Sequence, residues 1–296
     1  LNAFRSGFVG ILGRPNVGKS TLLNYLCGEK LSITSSKPQT TRNRILGVLH
    51  RPGFQIVFLD TPGVHETDRA INRYMKQVIA KVAADADIVL YLADASRAHG
   101  LEDELALSVL PPESGTPVIL VVNKSDLVKP GAVRDRISLL SGMYDFEGAF
   151  AVSALTGAGT AQLVEKIATC LPESVPYFPE DMVTDQPLGF RLAEIVREKL
   201  FEMTKEEIPY STAVVVENMA ARKDGLMEIE ATVFVERESQ KGIVIGRKGS
   251  MLQRIGTSAR HEIEQQLGKK VYLELRVKVK KKWTDRDRLL KEMGYE

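Results

Sequence analysis

One stretch near the start of the chain has the residue types to hold a phosphate. Gly13-Arg14-Pro15-Asn16-Val17-Gly18-Lys19-Ser20 fits the spacing G-x-x-x-x-G-K-[ST]. It follows an apolar run at 8–12 and leads from Thr21 into a helical pattern, the strand–loop–helix context the motif requires. The glycines let backbone N–H groups turn inward around a β-phosphate, and the helix N-terminus adds positive potential. Lys19 would neutralise the β- and γ-phosphates, and the Ser20 hydroxyl would coordinate Mg2+. Asn123-Lys124-Ser125-Asp126 closes another apolar run, 105 residues beyond Gly18. A carboxylate at Asp126 accepts from both N1–H and the 2-amino group of guanine. Adenine has no donor at either place and would leave a buried carboxylate unpaired. Asn123 is placed to tie this loop to the P-loop, and the Lys124 stem to cover the base. Ser153-Ala154-Leu155 can supply a backbone N–H to the guanine oxygen. Asp60-Thr61-Pro62-Gly63 ends a further run. There Asp60 can hold Mg2+ through a water, and the Gly63 N–H can reach the γ-phosphate and let go after hydrolysis. The polar, Thr-rich stretch 35–44 offers Thr40 or Thr41 to complete the Mg2+ shell, with Thr41 favoured. These residues together predict a site for GTP and GDP with Mg2+, and hydrolysis of GTP.

A second constellation lies near the other end. Val244-Ile245-Gly246-Arg247-Lys248-Gly249 is a G-x-x-G turn leading into a helix, with two basic residues between the glycines. Glycines let a nucleic-acid backbone approach, Arg247 and Lys248 would meet phosphates, and Ile243 and Ile245 would form a floor for bases. Lys241, Gly249 and the run Lys280-Lys281-Lys282 belong to the same expected RNA-binding surface. Charge supports it: residues 1–180 are neutral, 181–240 carry a net −6, and 241–291 a net +10. A basic end on a neutral chain suits a polyanion.

Such sites need rigid supports. Five short apolar runs, at 8–12, 55–59, 88–93, 118–122 and 149–152, alternate with helical patterns at 68–84, 101–110, 132–140 and 160–171. Strands alternating with helices predict an α/β fold with a mostly parallel sheet and helices on both faces. Residues 45–49 would add an antiparallel edge strand. Ligands in such sheets sit at the carboxyl ends of the strands, where the nucleotide motifs fall. This domain is expected over 1–171. A proline-rich linker follows over 172–187, with Pro172, Pro176, Pro179 and Pro187. The second domain, 188–296, reads as helix 188–203, strands 211–216 and 227–235 about a turn at 222–225, helix 250–267 and an alternating strand at 270–280. The G-x-x-G turn is expected between the acidic strand 227–235 and a helix.

Bulk properties exclude little else. No run of about 18 apolar residues occurs, so no membrane-spanning helix is expected. Leu1-Asn2-Ala3-Phe4-Arg5 has no long apolar stretch or cleavage-site pattern, so no signal peptide is expected. Cys27 and Cys170 are isolated, which fits a reducing cytoplasm and two small buried side chains better than a disulfide or a zinc site.

The nucleotide motifs, in this order and on these strand ends, resemble those of the translation-factor-related GTPases. Where Ras-type GTPases carry a glutamine that orients the attacking water, this chain has Val64, which cannot hydrogen-bond a water. Asn16 stands where potassium-activated members of the class bind a monovalent cation. The resemblance implies that K+ supplies positive charge in the transition state, with Lys19, Asn16, Thr41 and Gly63 as the catalytic set. Adding Phe178-Pro179-Glu180-Asp181, the stretch 235–241 before the G-x-x-G turn, and a strand ending Lys280-Lys281-Lys282-Trp283, nearly the whole chain resembles the Era GTPases of bacteria. Their C-terminal module is a type II KH domain. The resemblance implies binding of the single-stranded 3′ region of 16S ribosomal RNA and a part in maturing the small (30S) ribosomal subunit. It leaves open a weak peripheral association of the basic face with the inner membrane. An RNA chaperone that senses GTP without turning it over is the alternative from another class, and turnover separates the two. Asn123–Asp126 argues against an ATPase or a nucleotide kinase.

Overall fold

The computed structural model describes residues 3–35, 37–64, 69–112 and 115–295. They form two compact units, one of residues up to 67 together with 72–185, the other of 186 onward together with 68–71.

The first unit is built on β1 (Arg5–Leu12), α1 (Lys19–Cys27), β2 (Ile45–Arg51), β3 (Phe54–Asp60), α2 (Ala70–Asp85), β4 (Ile88–Asp94), α3 (Leu101–Leu107), β5 (Val118–Asn123), α4 (Pro130–Ser141), β6 (Gly148–Ala151) and α5 (Thr160–Cys170). Its sheet has the order β2-β3-β1-β4-β5-β6. All neighbours are parallel except β2, which runs antiparallel to β3. β4 and β5 are buried at every residue, as strands covered on both faces must be. Consecutive crossovers turn back between β1 and β4, and the P-loop leaves β1 at that switch point. α2 was expected from Asp68; that residue lies outside the described residues, and the helix is seen from Ala70.

The segment expected as a linker, 172–187, is strapped onto this unit up to Asp185. Ser174 N–H donates to Phe4 O at 3.1 Å, Val48 N–H to Val183 O at 2.8 Å, and Gln55 Oε1 accepts the N–H groups of Tyr177 and Phe178. The prolines remove internal hydrogen bonds, so this chain finds its partners on the edge strand β2, on a side chain of β3 and just before β1.

The second unit contains α6 (Leu188–Met203), β7 (Ala213–Ala221), β8 (Met227–Val235), α7 (Glu238–Ile245), α8 (Ser250–Leu267), β9 (Val271–Val279) and α9 (Asp287–Glu292). β8 is the centre of a three-stranded sheet, antiparallel to β7 and parallel to β9. Leu192, Val196 and Leu200 of α6 and Ile255, Ala259 and Ile263 of α8 recur at helical spacing and pack on Ile229, Ala231 and Val233. Two elements lie outside the expected set. Between β8 and the G-x-x-G turn runs the helix α7, in a stretch for which no element was expected. Gln240 Oε1 accepts the N–H groups of Glu236 and Arg237, at 2.8 and 3.1 Å, and so starts the helix. Its β-branched end, Ile243 to Ile245, reads as strand in isolation. The chain also closes with α9. Trp283, fully buried, donates to Ser211 O at 2.9 Å and stacks on Tyr295.

Candidate functional site

The P-loop joins β1 to α1 and lines a cavity of about 400 Å3 with Pro15, Asn16, Gly18, Lys19, Ser20 and Thr21. Gly18 has φ +98°, and a Cβ there would lie 2.3 Å from the Asn123 amide nitrogen. Only glycine fits. α1 begins without a side-chain cap, which leaves its first N–H groups to a ligand. Lys19 is buried and donates to Gly13 O and Arg14 O, both at 3.0 Å. Burial pushes its ammonium down to about 8, with Asp60 opposing. Burial likewise raises Asp60, against the pull of Lys19 and the hydroxyls of Ser20 and Ser32. Each charge is short of solvation, as expected of groups arranged for a further ionic partner.

Hydroxyls gather around Asp60. Ser20 Oγ donates to Asp60 Oδ2 at 2.7 Å and lies 2.8 Å from Thr41 Oγ1, and Ser32 Oγ donates to the same carboxylate oxygen at 3.0 Å. Asp60 Oδ1 is buried without a hydrogen-bond partner among the described residues. A set of hard oxygens with one orphaned carboxylate oxygen fits a Mg2+ ion shared with phosphates. Thr40 is bonded elsewhere, to Lys37 O, so Thr41 is the threonine that converges. The loop bearing it folds over the cavity because Asn24 of α1 grips Leu31 and Ser32 through both amide atoms. Tyr74 of α2 holds Asn43.

Beyond β3, Thr61 Oγ1 donates to Ile11 O at 2.7 Å, and Pro62 is buried. Gly63 sits so close to the P-loop that a Cβ would lie 2.7 Å from Pro15 Cα. Val64 turns away into the apolar core with 7% exposure.

On the base side, Asn123 Nδ2 donates to Val17 O at 2.8 Å, and its Oδ1 accepts the Ala154 N–H at 2.9 Å. One side chain thus ties three loops together, Ser153–Leu155 included. Lys124, in the left-handed region, crosses the P-loop to donate to Asn16 O at 2.7 Å. Asp126 stands exposed on the short turn Ser125–Leu127. The sequence reading required it buried, a condition that contact with a base would impose.

Arg14 departs from expectation. Its guanidinium leaves the cavity for an ion pair with buried Asp103 of α3 at 3.1 Å, which Arg136 of α4 shares. Only its carbonyl serves the P-loop. The cysteines are free and half-buried. The motifs did not reveal Arg97, which lines the cavity, or Asp94 at the end of β4. The signal available was position, since both follow a strand end at the switch point.

In the second unit the G-x-x-G turn joins α7 to α8. Gly246 has φ +72°, and a Cβ there would lie 2.7 Å from Met251 Cβ. Arg247 and Lys248 are exposed. Ile243 is exposed on α7, Ile245 is half-buried, and Val244 faces the core. Both isoleucines of the expected base floor thus keep accessible surface next to the turn. A groove beside the turn lies between α8 and β9, lined by Gly249, Leu252, Gly256, Arg260, Leu273 and Leu275. Gly256 faces Leu275 across it, 3.4 Å from where a Cβ would be, an ordinary packing distance. Of the basic run, Lys280 pairs with Glu292 at 2.7 Å, while Lys281 and Lys282 are exposed. Lys241 is half-buried on α7.

A phosphate-type cavity at the strand ends of a P-loop sheet, on one chain with a helix–GxxG–helix unit, defines a P-loop GTPase carrying a KH domain. Residues 8–124 match the family described as 50S ribosome-binding GTPase, and residues 207–284 match the KH domain. The GTPase Era of Geobacter metallireducens is 52% identical over 295 residues, 99% of either chain. That of Geotalea daltonii is 50% identical over 293 residues, 99% of this chain and 98% of the relative. A crystal structure of an Aquifex aeolicus Era variant bound to GDP and AlF4− matches with TM-score 0.94 and 40% identity, covering 99% of both chains. A second, of Era with MgGDPNP and nucleotides 1506–1542 of 16S ribosomal RNA, matches with TM-score 0.94, 41% identity and the same coverage. The chain belongs to the Era family of GTPases. Among the described residues, no helix is long and apolar enough to cross a membrane.

Proposed function

We propose that this GTPase uses GTP hydrolysis to time the binding of single-stranded RNA at its KH groove, that the RNA is the 3′ region of 16S ribosomal RNA, and that the process served is maturation of the small ribosomal subunit. The observation that carries the reading is the presence of both sites on one chain, together with a relative crystallised with MgGDPNP and that RNA segment. Lys19 and the N–H groups opening α1 hold the β- and γ-phosphates. Ser20, Thr41 and Asp60 hold Mg2+, which when bound draws the phosphate oxygens together and offsets their charge. Asp126 reads guanine from one side, with Lys124 along the base and Ala154 near its oxygen. Gly63 senses the γ-phosphate through its N–H, which a side chain at that position would push away from the P-loop. Val64, packed in the core, leaves the attacking water to backbone groups. Asn16 is the residue through which K+ would add positive charge. Lys281 and Lys282 are the exposed basic groups on which a weak peripheral association with anionic lipid of the inner membrane would rest.

Turnover with GTP, measured in K+ and again in Na+, with and without the 3′ RNA segment, tests the reading. GTP hydrolysis that is faster in K+, at nearly unchanged nucleotide affinity, is the expected outcome. Negligible turnover in every condition would leave a GTP-sensing RNA chaperone, and equal rates in the two salts would remove the monovalent cation.

A further inference from the structure

The loop between β4 and α3 belongs to none of the GTPase motifs, yet it walls the nucleotide cavity. Its anchor is Asp94, buried at the end of β4. Asp94 Oδ1 accepts both the N–H and the hydroxyl of Ser96, at 2.8 and 2.6 Å. Asp94 Oδ2 accepts Lys124 Nζ at 2.7 Å, and the same ammonium reaches Asn16 O at 2.7 Å. One carboxylate thereby clamps three pieces: the β4–α3 loop, the guanine-reading loop and the outer turn of the P-loop. Burial alone would raise Asp94, but the hydrogen bonds from Lys124 and Ser96 outweigh it and hold the group below its ordinary value. The clamp therefore stays ionised at neutral pH. Next in the loop, Arg97 lines the cavity and is exposed. Its guanidinium has no hydrogen bond or ion pair among the described residues. An arginine beside the fastened Ser96 at the rim of an anion site, its five donors unspent among the described residues, is poised for phosphate oxygens.

We propose that Arg97 is a catalytic residue of the GTPase reaction, supplied in cis. Its guanidinium donates N–H to the oxygen bridging the β- and γ-phosphates as the bond from that oxygen to the γ-phosphorus breaks. The inference rests on the cavity being the GTP site, as proposed above. Water attacks phosphorus and passes its proton to the phosphate that is released, while the electron pair of the breaking bond stays on the bridging oxygen, so negative charge grows there. Lys19 and the hydroxyl–carboxylate set around Asp60 serve the phosphates from the inner side of the P-loop. The Asp94 clamp fastens Arg97 at the Asn16 and Lys124 flank. Arg97 gives up no proton. It stabilises the charge as it forms, and a chain whose Val64 is buried has need of such a group.

The test compares the parent with Arg97→Ala and Arg97→Lys in K+ buffer throughout, so that the Asn16 cation is not the variable. GDP affinity is measured by titration of a fluorescent GDP. Capture of AlF4− on the GDP complex, which imitates the transferring phosphoryl group, is read from the same fluorescence. Arg97→Ala is expected to bind GDP nearly as the parent does, but to need at least about tenfold more fluoroaluminate for half-capture. Arg97→Lys, which keeps the charge and loses the fork, should fall between. Capture by Arg97→Ala equal to the parent would make Arg97 a bystander at the rim. Equal losses for GDP and for GDP–AlF4− would make it a ground-state phosphate ligand and overturn the catalytic role. A parent that fails to bind GDP would overturn the GTP-site reading itself, and this inference with it.

Discussion

At the scale of single residues, charge and burial set what can be tested. Lys19 in the nucleotide-free site has been pushed down to about 8 by burial. A phosphate beside it restores the protonated form, so the bound site holds its proton to higher pH. Binding therefore takes up protons above pH 8 or so, and affinity falls as pH rises through that value and is flat with respect to Lys19 below it. Titration calorimetry with GDP at about pH 9, in buffers of different ionisation enthalpy, should report roughly one proton taken up per nucleotide, and little from this group near pH 7. No uptake at the higher pH would show that Lys19 is already fully protonated in the free site. Asp126, exposed and without a partner among the described residues, is open to a base. Asp126→Asn should shift preference from GTP towards xanthosine triphosphate by roughly two orders of magnitude, because the amide can donate to the new carbonyl. Unchanged GTP affinity would locate the base elsewhere. Val64 gives the opposite lesson. Replacing it by glutamine does not restore a water-orienting group, since the side chain packs among core residues. Val64→Gln should cost about 1–3 kcal/mol for burying an amide and leave the rate no faster. Thermal unfolding and turnover read the two effects separately.

At the scale of elements, a glycine can be required for more than one reason. The G-x-x-G turn keeps Gly246 at positive φ and against Met251. Gly246→Asp would therefore break the turn as well as repel phosphate, and lost RNA binding in that variant would mean little alone. Arg247→Gln combined with Lys248→Asn is the cleaner probe. Both side chains are exposed, and asparagine tolerates the left-handed geometry of Lys248 (φ 52°). The pair should lose RNA affinity with no change in unfolding temperature, while Gly246→Asp lowers both. The same locality decides what the sequence could reveal. Motifs whose chemistry depends on backbone and adjacent side chains were legible: the P-loop, the guanine loop with Asn123 tying it in, and Thr41 over Ser20. The alternating strand β9 and the buried runs β4 and β5 announced themselves by periodicity. α7 did not, because its last turn is β-branched and its start depends on Gln240 reaching back to Glu236 and Arg237. Nor did the diversion of Arg14, since its partner Asp103 is 89 residues away. The groove beside the turn was missed for a related reason: Ile243 and Ile245 adjoin the turn in sequence, whereas Leu273 and Leu275 reach it only through the fold.

At the scale of the whole molecule, two sites of opposite demand share one chain, and salt distinguishes them. On the proposed reading the nucleotide is gripped by Lys19, backbone N–H groups and hydroxyls, largely buried groups that are screened weakly. The RNA surface is exposed, and its affinity comes largely from releasing counterions. Not every basic residue there contributes equally. Arg276 is paired with Glu230 and Glu274, Lys278 with Glu217 and Lys280 with Glu292, so the outer sheet face neutralises much of its own charge. Arg247, Lys248, Lys281 and Lys282 remain exposed near the turn or the end of β9, and Arg260 lines the groove. With four to six phosphates engaged, and about −0.7 in log–log slope for each on a single strand, RNA affinity should fall with a slope of roughly −3 to −4 against salt concentration. A filter-binding titration of a single-stranded 3′ RNA segment, repeated across salt concentrations on the full chain, measures it. In the Arg247→Gln, Lys248→Asn variant the slope should flatten by about 1.4, two contacts' worth, while GTP affinity at each salt concentration stays that of the parent. A slope near zero in the parent would mean that the groove between α8 and β9 takes an uncharged ligand, and that the basic excess of the C-terminal region is only a solvated face.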